Sequence, residues 1–238
     1  MKNTPSSKKL LGQLLIMALI PFAVPAKDSG KAHPVRKIDT TPNTEDKDVW
    51  SFTLESDTYA ATDYLNPALD FSSADGWDVQ IASYNIPVHG GGAQNYEWDS
   101  YINLSKSFDF GEGFKAVIGS QNGTTAFSAP HRWHNIDYAL VAYQAFAGLS
   151  LRAGPYWADK DLSTTTNVLG YTAGFNLNFT PDCYVQADYF SGSSNVSGAT
   201  VNLWYRWVYA GIGVPETDSG NEFYGAAGFK LNFADLAP

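Results

Sequence analysis

The sequence predicts an all-β protein, a transmembrane antiparallel β-barrel of about twelve strands. Three observations carry that expectation. Apolar and polar side chains alternate along most of the chain after residue 47, the period that sends successive side chains to opposite faces of a strand. The alternating segments often outrun an ordinary strand of about 5–6 residues and reach the roughly 9–11 that cross a bilayer. Aromatic residues recur near segment ends, among them Trp50, Trp77, Trp98, Phe114, Trp157, Phe179, Trp207 and Phe233, as interfacial girdles require. A soluble sandwich alternates too. Segment length, girdles and a second face of Gly, Asn, Thr and charge favour lipid outside and a wet lumen inside.

The chain opens on a targeting segment. Lys2, Lys8 and Lys9 precede an apolar run from Leu10 to Val24, which Gly12, Gln13 and Pro21 interrupt. The run is too short and broken for a membrane helix, and Val24-Pro25-Ala26 supplies small residues for cleavage. No cysteine follows that could carry a lipid anchor. Residues 1–26 therefore read as a signal peptide and 27–47 as a disordered periplasmic linker rich in Lys, Asp, Thr and Pro. Residues 48–238 read as one outer-membrane barrel.

Within the barrel the expected strands are 48–59, 66–73, 77–87, 95–107, 114–121, 135–146, 149–157, 168–179, 183–190, 199–207, 208–215 and 221–233. Alternation is clearest in Leu169–Phe179 and in Phe223–Phe233. Asp75-Gly76, Asp109 to Gly113, Ala147-Gly148 and Thr180-Pro181-Asp182 mark tight turns. A fifth turn has no turn residues and is betrayed by parity. Val201, Leu203, Tyr205 and Trp207 share a face, and then the apolar phase jumps to Val208, Ala210, Ile212 and Val214. A one-residue phase change places a turn or bulge at Arg206 to Val208. An even strand count puts both termini and all five short turns on the periplasmic side, leaving the longer connections outside.

Charge and motifs narrow the function classes. A formal charge of −9 argues against a nucleic-acid partner, and a lone Cys183 excludes an intramolecular disulfide or a Cys-based zinc site. The chain lacks Gly-x-Ser-x-Gly, His-Glu-x-x-His and any phosphate-cradling Gly-Lys-Ser/Thr loop, so no catalytic, cofactor or metal residues are assigned and an enzyme is not expected. His131 and His134, with Ser128 nearby, read as solvated loop residues; a lipid hydrolase built on them is the least favoured alternative.

The stretch Ser56-Asp57, Asn66-Pro67-Ala68-Leu69-Asp70-Phe71, Gly76-Trp77 and Ser83-Tyr84-Asn85 resembles the opening strands of small Gram-negative porins of the TorF type. The terminal Gly-Phe-Lys-Leu-Asn-Phe is similar to the closing strand that barrel-assembly machinery recognises. Two departures stand out: Ala-Thr-Asp-Tyr occupies 61–64 where Arg-Gly is the family's habit, and the chain continues past Phe233. The resemblance implies transport, with the lipid bilayer, small solutes and the assembly machinery as partners.

Placing charges by depth gives the expected pore lining. Glu55, Asp57, Glu97, Asp99, Asp137 and Asp188 fall in the outer half of the lumen, with Asp78 lower and Asp70 near the middle. Lys115, Arg152, Arg206 and Lys230 fall toward the periplasmic half. Rings of one sign set ion preference, so this separation predicts an outer mouth that concentrates cations. The functional expectation is a passive channel for ions or small polar solutes. A closed structural or surface-interaction barrel is the second reading, because side chains can fill a lumen of this size.

Overall fold

The computed structural model describes residues 42, 46–59, 62–90, 99–125, 132–159, 169–192, 198–215 and 223–236. The expected leader 1–26 and nearly all of the linker 27–47 lie outside these residues. The strands are β1 (Val49–Thr58), β2 (Thr62–Ser72), β3 (Trp77–Tyr84), β4 (Ile86–Gly90), β5 (Asp99–Gly111), β6 (Phe114–Thr125), β7 (Arg132–Phe146), β8 (Leu149–Ala158), β9 (Leu169–Thr180), β10 (Cys183–Phe190), β11 (Gly198–Tyr205), β12 (Val208–Pro215) and β13 (Tyr224–Asn232). Each pairs antiparallel with its neighbour, and β1 pairs with both β2 and β13, so the sheet closes on itself. Since β4 continues β3 beyond a single break, this is a closed barrel of twelve strands. Closure removes the unpaired edges that an open sheet would leave.

The break has a local cause. Asn85 adopts φ 63, a left-handed conformation that Asn tolerates better than most residues. The chain then re-pairs, with β4 running along Thr62–Leu65 of β2 while β3 covers Ala68–Ser72. Pro67 sits between the two registers, where the missing N–H costs no ladder bond to either. The amide of Asn85 donates instead to the Asn66 side chain at 2.8 Å.

All five short turns fall at one end of the barrel, between β2 and β3, β5 and β6, β7 and β8, β9 and β10, and β11 and β12. The turn without turn residues is real: Arg206 and Trp207 connect β11 to β12, with Arg206 at φ 56, and Tyr205 pairs directly with Val208. Val201 and Ile212 consequently meet on one face. The last strand stops at Asn232, one residue earlier than expected, and Phe233–Leu236 form a short 3₁₀ turn.

The outward face is an apolar belt. Leu169, Tyr171, Ala173, Phe175, Leu177 and Phe179 of β9 span it, and ten steps of about 3.3 Å, tilted as barrel strands are, give roughly 25 Å of height. Trp50, Trp77, Phe114 and Trp207 ring its turn end, while Trp157 and Tyr171 stand at the loop end, all well exposed. Lys106, whose stem crosses the belt, turns its ammonium to the Asp75 carbonyl and the Trp77 ring at the turn end. That is how a long cation escapes an apolar surface.

Candidate functional site: the barrel lumen

Inward positions are neither uniformly wet nor uniformly filled. On β5 to β8 the interior is packed. Val117, Ile136, Tyr138, Leu140 and Tyr156 form a buried apolar cluster that reaches Phe190 of β10. Tyr84 and Tyr101 with Ala68 and Ala82 make a second cluster on β2, β3 and β5. The glycines of the inner face serve this packing. Tyr138 lies opposite Gly119, Tyr156 opposite Gly170, Tyr101 opposite Gly123, and Tyr209 opposite Gly228. In each pair a Cβ built on the glycine would collide with the ring. The face of Gly, Asn, Thr and charge is expected to line a wet lumen; here its glycines seat tyrosines, and the Tyr138 hydroxyl donates to Asn103 Oδ1 at 3.2 Å.

The acids of β1, β2 and β5 are built into the wall. Asn66 Nδ2 donates to Glu55 Oε1 at 3.2 Å and to Asp57 Oδ2 at 2.7 Å. Tyr209 OH donates to Glu55 Oε2, and Asn85 Nδ2 to Asp99 Oδ2 at 3.4 Å. Glu55, Asp57 and Asp99 are buried as a result. Asp70 is more open and accepts from Gln80 Nε2 at 2.6 Å and Thr53 Oγ1 at 3.2 Å. On the far wall Arg152 reaches across Gly174 to Asp188, with Asn176 Oδ1 accepting from Arg152 at 3.1 Å and Gln186 donating to Asp188 at 3.0 Å.

A cavity of about 620 Å³ occupies the remaining lumen. Its lining runs from Asp109, Lys115 and Lys230 at the turn end to Tyr84, Gly198 and Tyr224 at the loop end, so it extends along the barrel axis. Glu55, Asp70 and Asp188 line it between those ends, beside the carboxamides of Asn66, Gln80, Asn176, Gln186 and Asn202.

The charges expected in the lumen sort into four groups. Glu55, Asp188, Lys115 and Lys230 border the cavity. Asp57, Asp99 and Arg152 point inward but are spent on wall contacts, their exposures being 1%, 6% and 3%. Two assignments are corrected. Asp137 lies on the outer face, because its neighbour Ile136 and the partner Gln121 fill the interior. It joins Asn135, which donates to it at 2.8 Å, and Ser120, which bonds Asn135 at 2.9 Å, in an outward polar patch. Arg206 sits in the turn, with its side chain 59% exposed and 3.9 Å from Asp182. Glu97 makes the fourth group by itself, since 91–98 lie outside the described residues, as do Ser128 and His131 and the side chain of His134. The Arg152–Asp188 pair also joins an acid and a base that sequence placed at separate depths.

A closed all-β barrel with an apolar outer belt, two aromatic rims and an axial cavity bordered by charged and amide side chains has the architecture of a membrane-spanning β-barrel. The structural comparisons agree with that class at the level of fold. The KdgM porin, solved in complex with disordered oligogalacturonate, superposes with a TM-score of 0.53 at 12% identity, covering 75% of this chain and 98% of its own. The NanC porin gives 0.56 at 11% identity, covering 76% and 100%. Outer membrane phospholipase A from Escherichia coli gives 0.46 at 14%, covering 81% and 98%. No family model matches the chain, and no curated protein does.

Proposed function

We propose that the chain is an outer-membrane channel for passive diffusion of ions or small polar solutes, exported by a signal peptide at 1–26 and inserted by the barrel-assembly machinery. The observation that carries this reading is the cavity along the barrel axis, bordered by charged and amide side chains and by residues of both ends. The apolar belt supports the membrane assignment, because a soluble protein rarely exposes an apolar patch of this extent. The fold shared with two porins supports the channel assignment. The opening-strand resemblance keeps the TorF type as the proposed subclass.

The test is conductance of the refolded protein in a planar bilayer. Discrete open levels are expected, together with recovery from cells in the outer-membrane fraction and heat-modifiable migration on gels. Insertion with no conductance under any polarity refutes the channel. That outcome favours the second reading, a closed structural barrel, for which the buried cluster of Val117, Ile136, Tyr138 and Leu140 across part of the lumen speaks.

A further inference from the structure

The cavity has two unlike walls. Across β1 and β2 it meets carboxylates, Glu55 and Asp70. Across β10 to β12 it meets rings and amides. Neither β11 (GATVNLWY) nor β12 (VYAGIGVP) contains a charged residue, and the one inward charge of β10, Asp188, is held by Arg152.

Cross-strand register arranges this neutral wall in two adjacent rows. Tyr184, Trp204 and Tyr209 occupy one row on neighbouring strands. Tyr184 and Trp204 stack with centroids 5.5 Å apart and planes 8° from parallel, and Trp204 and Tyr209 lie 4.2 Å apart. One step toward the loop end, Asn176, Gln186 and Asn202 occupy the second row. All six line the cavity. Within this wall Trp204 Nε1 and Asn202 Oδ1 are buried with no hydrogen-bond partner among the described residues. A donor and an acceptor left unpaired two residues apart on one strand are costly, each on the order of 1–3 kcal/mol.

The chemistry that answers such a wall is specific. The edges of the stacked rings give an apolar ledge for the C–H groups of a solute, and amides both donate and accept. A hydroxyl does the same, so a hydroxyl-rich solute matches the amide row. An anionic solute gains nothing from the neutral wall and faces Glu55 and Asp70 across the lumen, while the bordering cations, Lys115 and Lys230, lie at the turn end of the cavity. Resting on the channel reading above, we propose that the β10–β12 wall is a binding track for neutral, hydroxyl-rich solutes of sugar size, with Trp204 as its principal contact.

The experiment is open-channel current from the full mature chain with maltose added, against a polyethylene glycol of matched size and an acidic disaccharide. Maltose is expected to reduce the current saturably, the glycol only in proportion to concentration, and the acidic sugar less than maltose. Trp204→Ala should raise the half-blocking maltose concentration about tenfold, the scale of one lost aromatic contact. Tyr184→Leu provides the same readout if Trp204→Ala fails to fold, and Val201→Ala, on the outward face of β11, should leave it in place. Non-saturable maltose block, tighter block by the acidic sugar, or an unchanged half-blocking concentration in the ring variant overturns the track while leaving the channel intact. A protein that never conducts overturns both.

Discussion

Replacing Asn66 by Ala should destabilise the barrel by about 3 kcal/mol. Asn66 makes three hydrogen bonds inside the wall: to Asp57 at 2.7 Å, to Glu55 at 3.2 Å, and from the Asn85 amide at 2.8 Å. Bonds to charged groups contribute roughly 1.5–3 kcal/mol each and a neutral one about 1, so their sum sets an upper bound of about 7 kcal/mol. Glu55 keeps its bond from Tyr209, and the loss is correspondingly smaller. Asn66→Asp makes a sharper contrast. It is almost isosteric, yet it replaces a donor shared by two buried carboxylates with a third carboxylate, and like charges at that distance repel strongly. Urea titration of refolded protein in lipid vesicles measures both variants. With a slope of about 2–3 kcal/mol per molar, the alanine midpoint should fall by about 1 M and the aspartate midpoint further. A shift below about 0.2 M in either variant would show that the node at Asn66 does not hold the wall.

Three further outcomes follow from the geometry. Gly119→Ala should cost about 1–3 kcal/mol, because its Cβ would enter the Tyr138 ring, which is 1% exposed and has no room to retreat; adding Tyr138→Leu should recover most of the urea midpoint, and failure to recover would mean the strain lies elsewhere. Asp70→Asn should reduce cation preference, read as a reversal potential across a salt gradient, more than Asp99→Asn, since Asp70 borders the cavity and Asp99 is buried beside Asn85; equal shifts would defeat that assignment. Cysteines at positions 203 and 212, in a background without Cys183, should be labelled and quenched alike by lipid-borne nitroxides, as the turn at Arg206 and Trp207 places both side chains on the outer face; strongly unequal quenching would contradict the turn.

Strand positions were legible because period-2 alternation is a direct image of the pleat, and in β9, β12 and β13 one face is apolar throughout. The turn at Arg206 and Trp207 was legible for the same reason, through a parity jump. What alternation could not show is the break at Asn85, which depends on a left-handed residue and a side chain from another strand. The resemblance motif takes on a physical meaning here. Asp57, Asn66 and Asn85, far apart in sequence, meet in one hydrogen-bonded node. A pattern of that kind records a contact, and only coordinates reveal which one.

The lumen was less legible because its polarity rule inverts on one side. Reading polar residues as inward works on β9 to β11, where the inner face carries Asn, Gln and Thr. It fails near the loop end of β6 and β7, where Ile136 and Tyr138 point inward and Asp137, Asn135 and Ser120 point outward. Those strands run 12 and 15 residues, longer than the hydrocarbon requires. In their loop-end halves the arrangement is that of a soluble sheet, with apolar residues inside and polar ones outside. The inversion is local to this pair of strands: β9, also 12 residues long, keeps an apolar outer face throughout, and Asp99 on the 13-residue β5 points inward. The face an acid takes on a strand is set by its register partners and packed neighbours: Asp137 faces out beside Ile136, while Glu55 and Asp188 border the cavity.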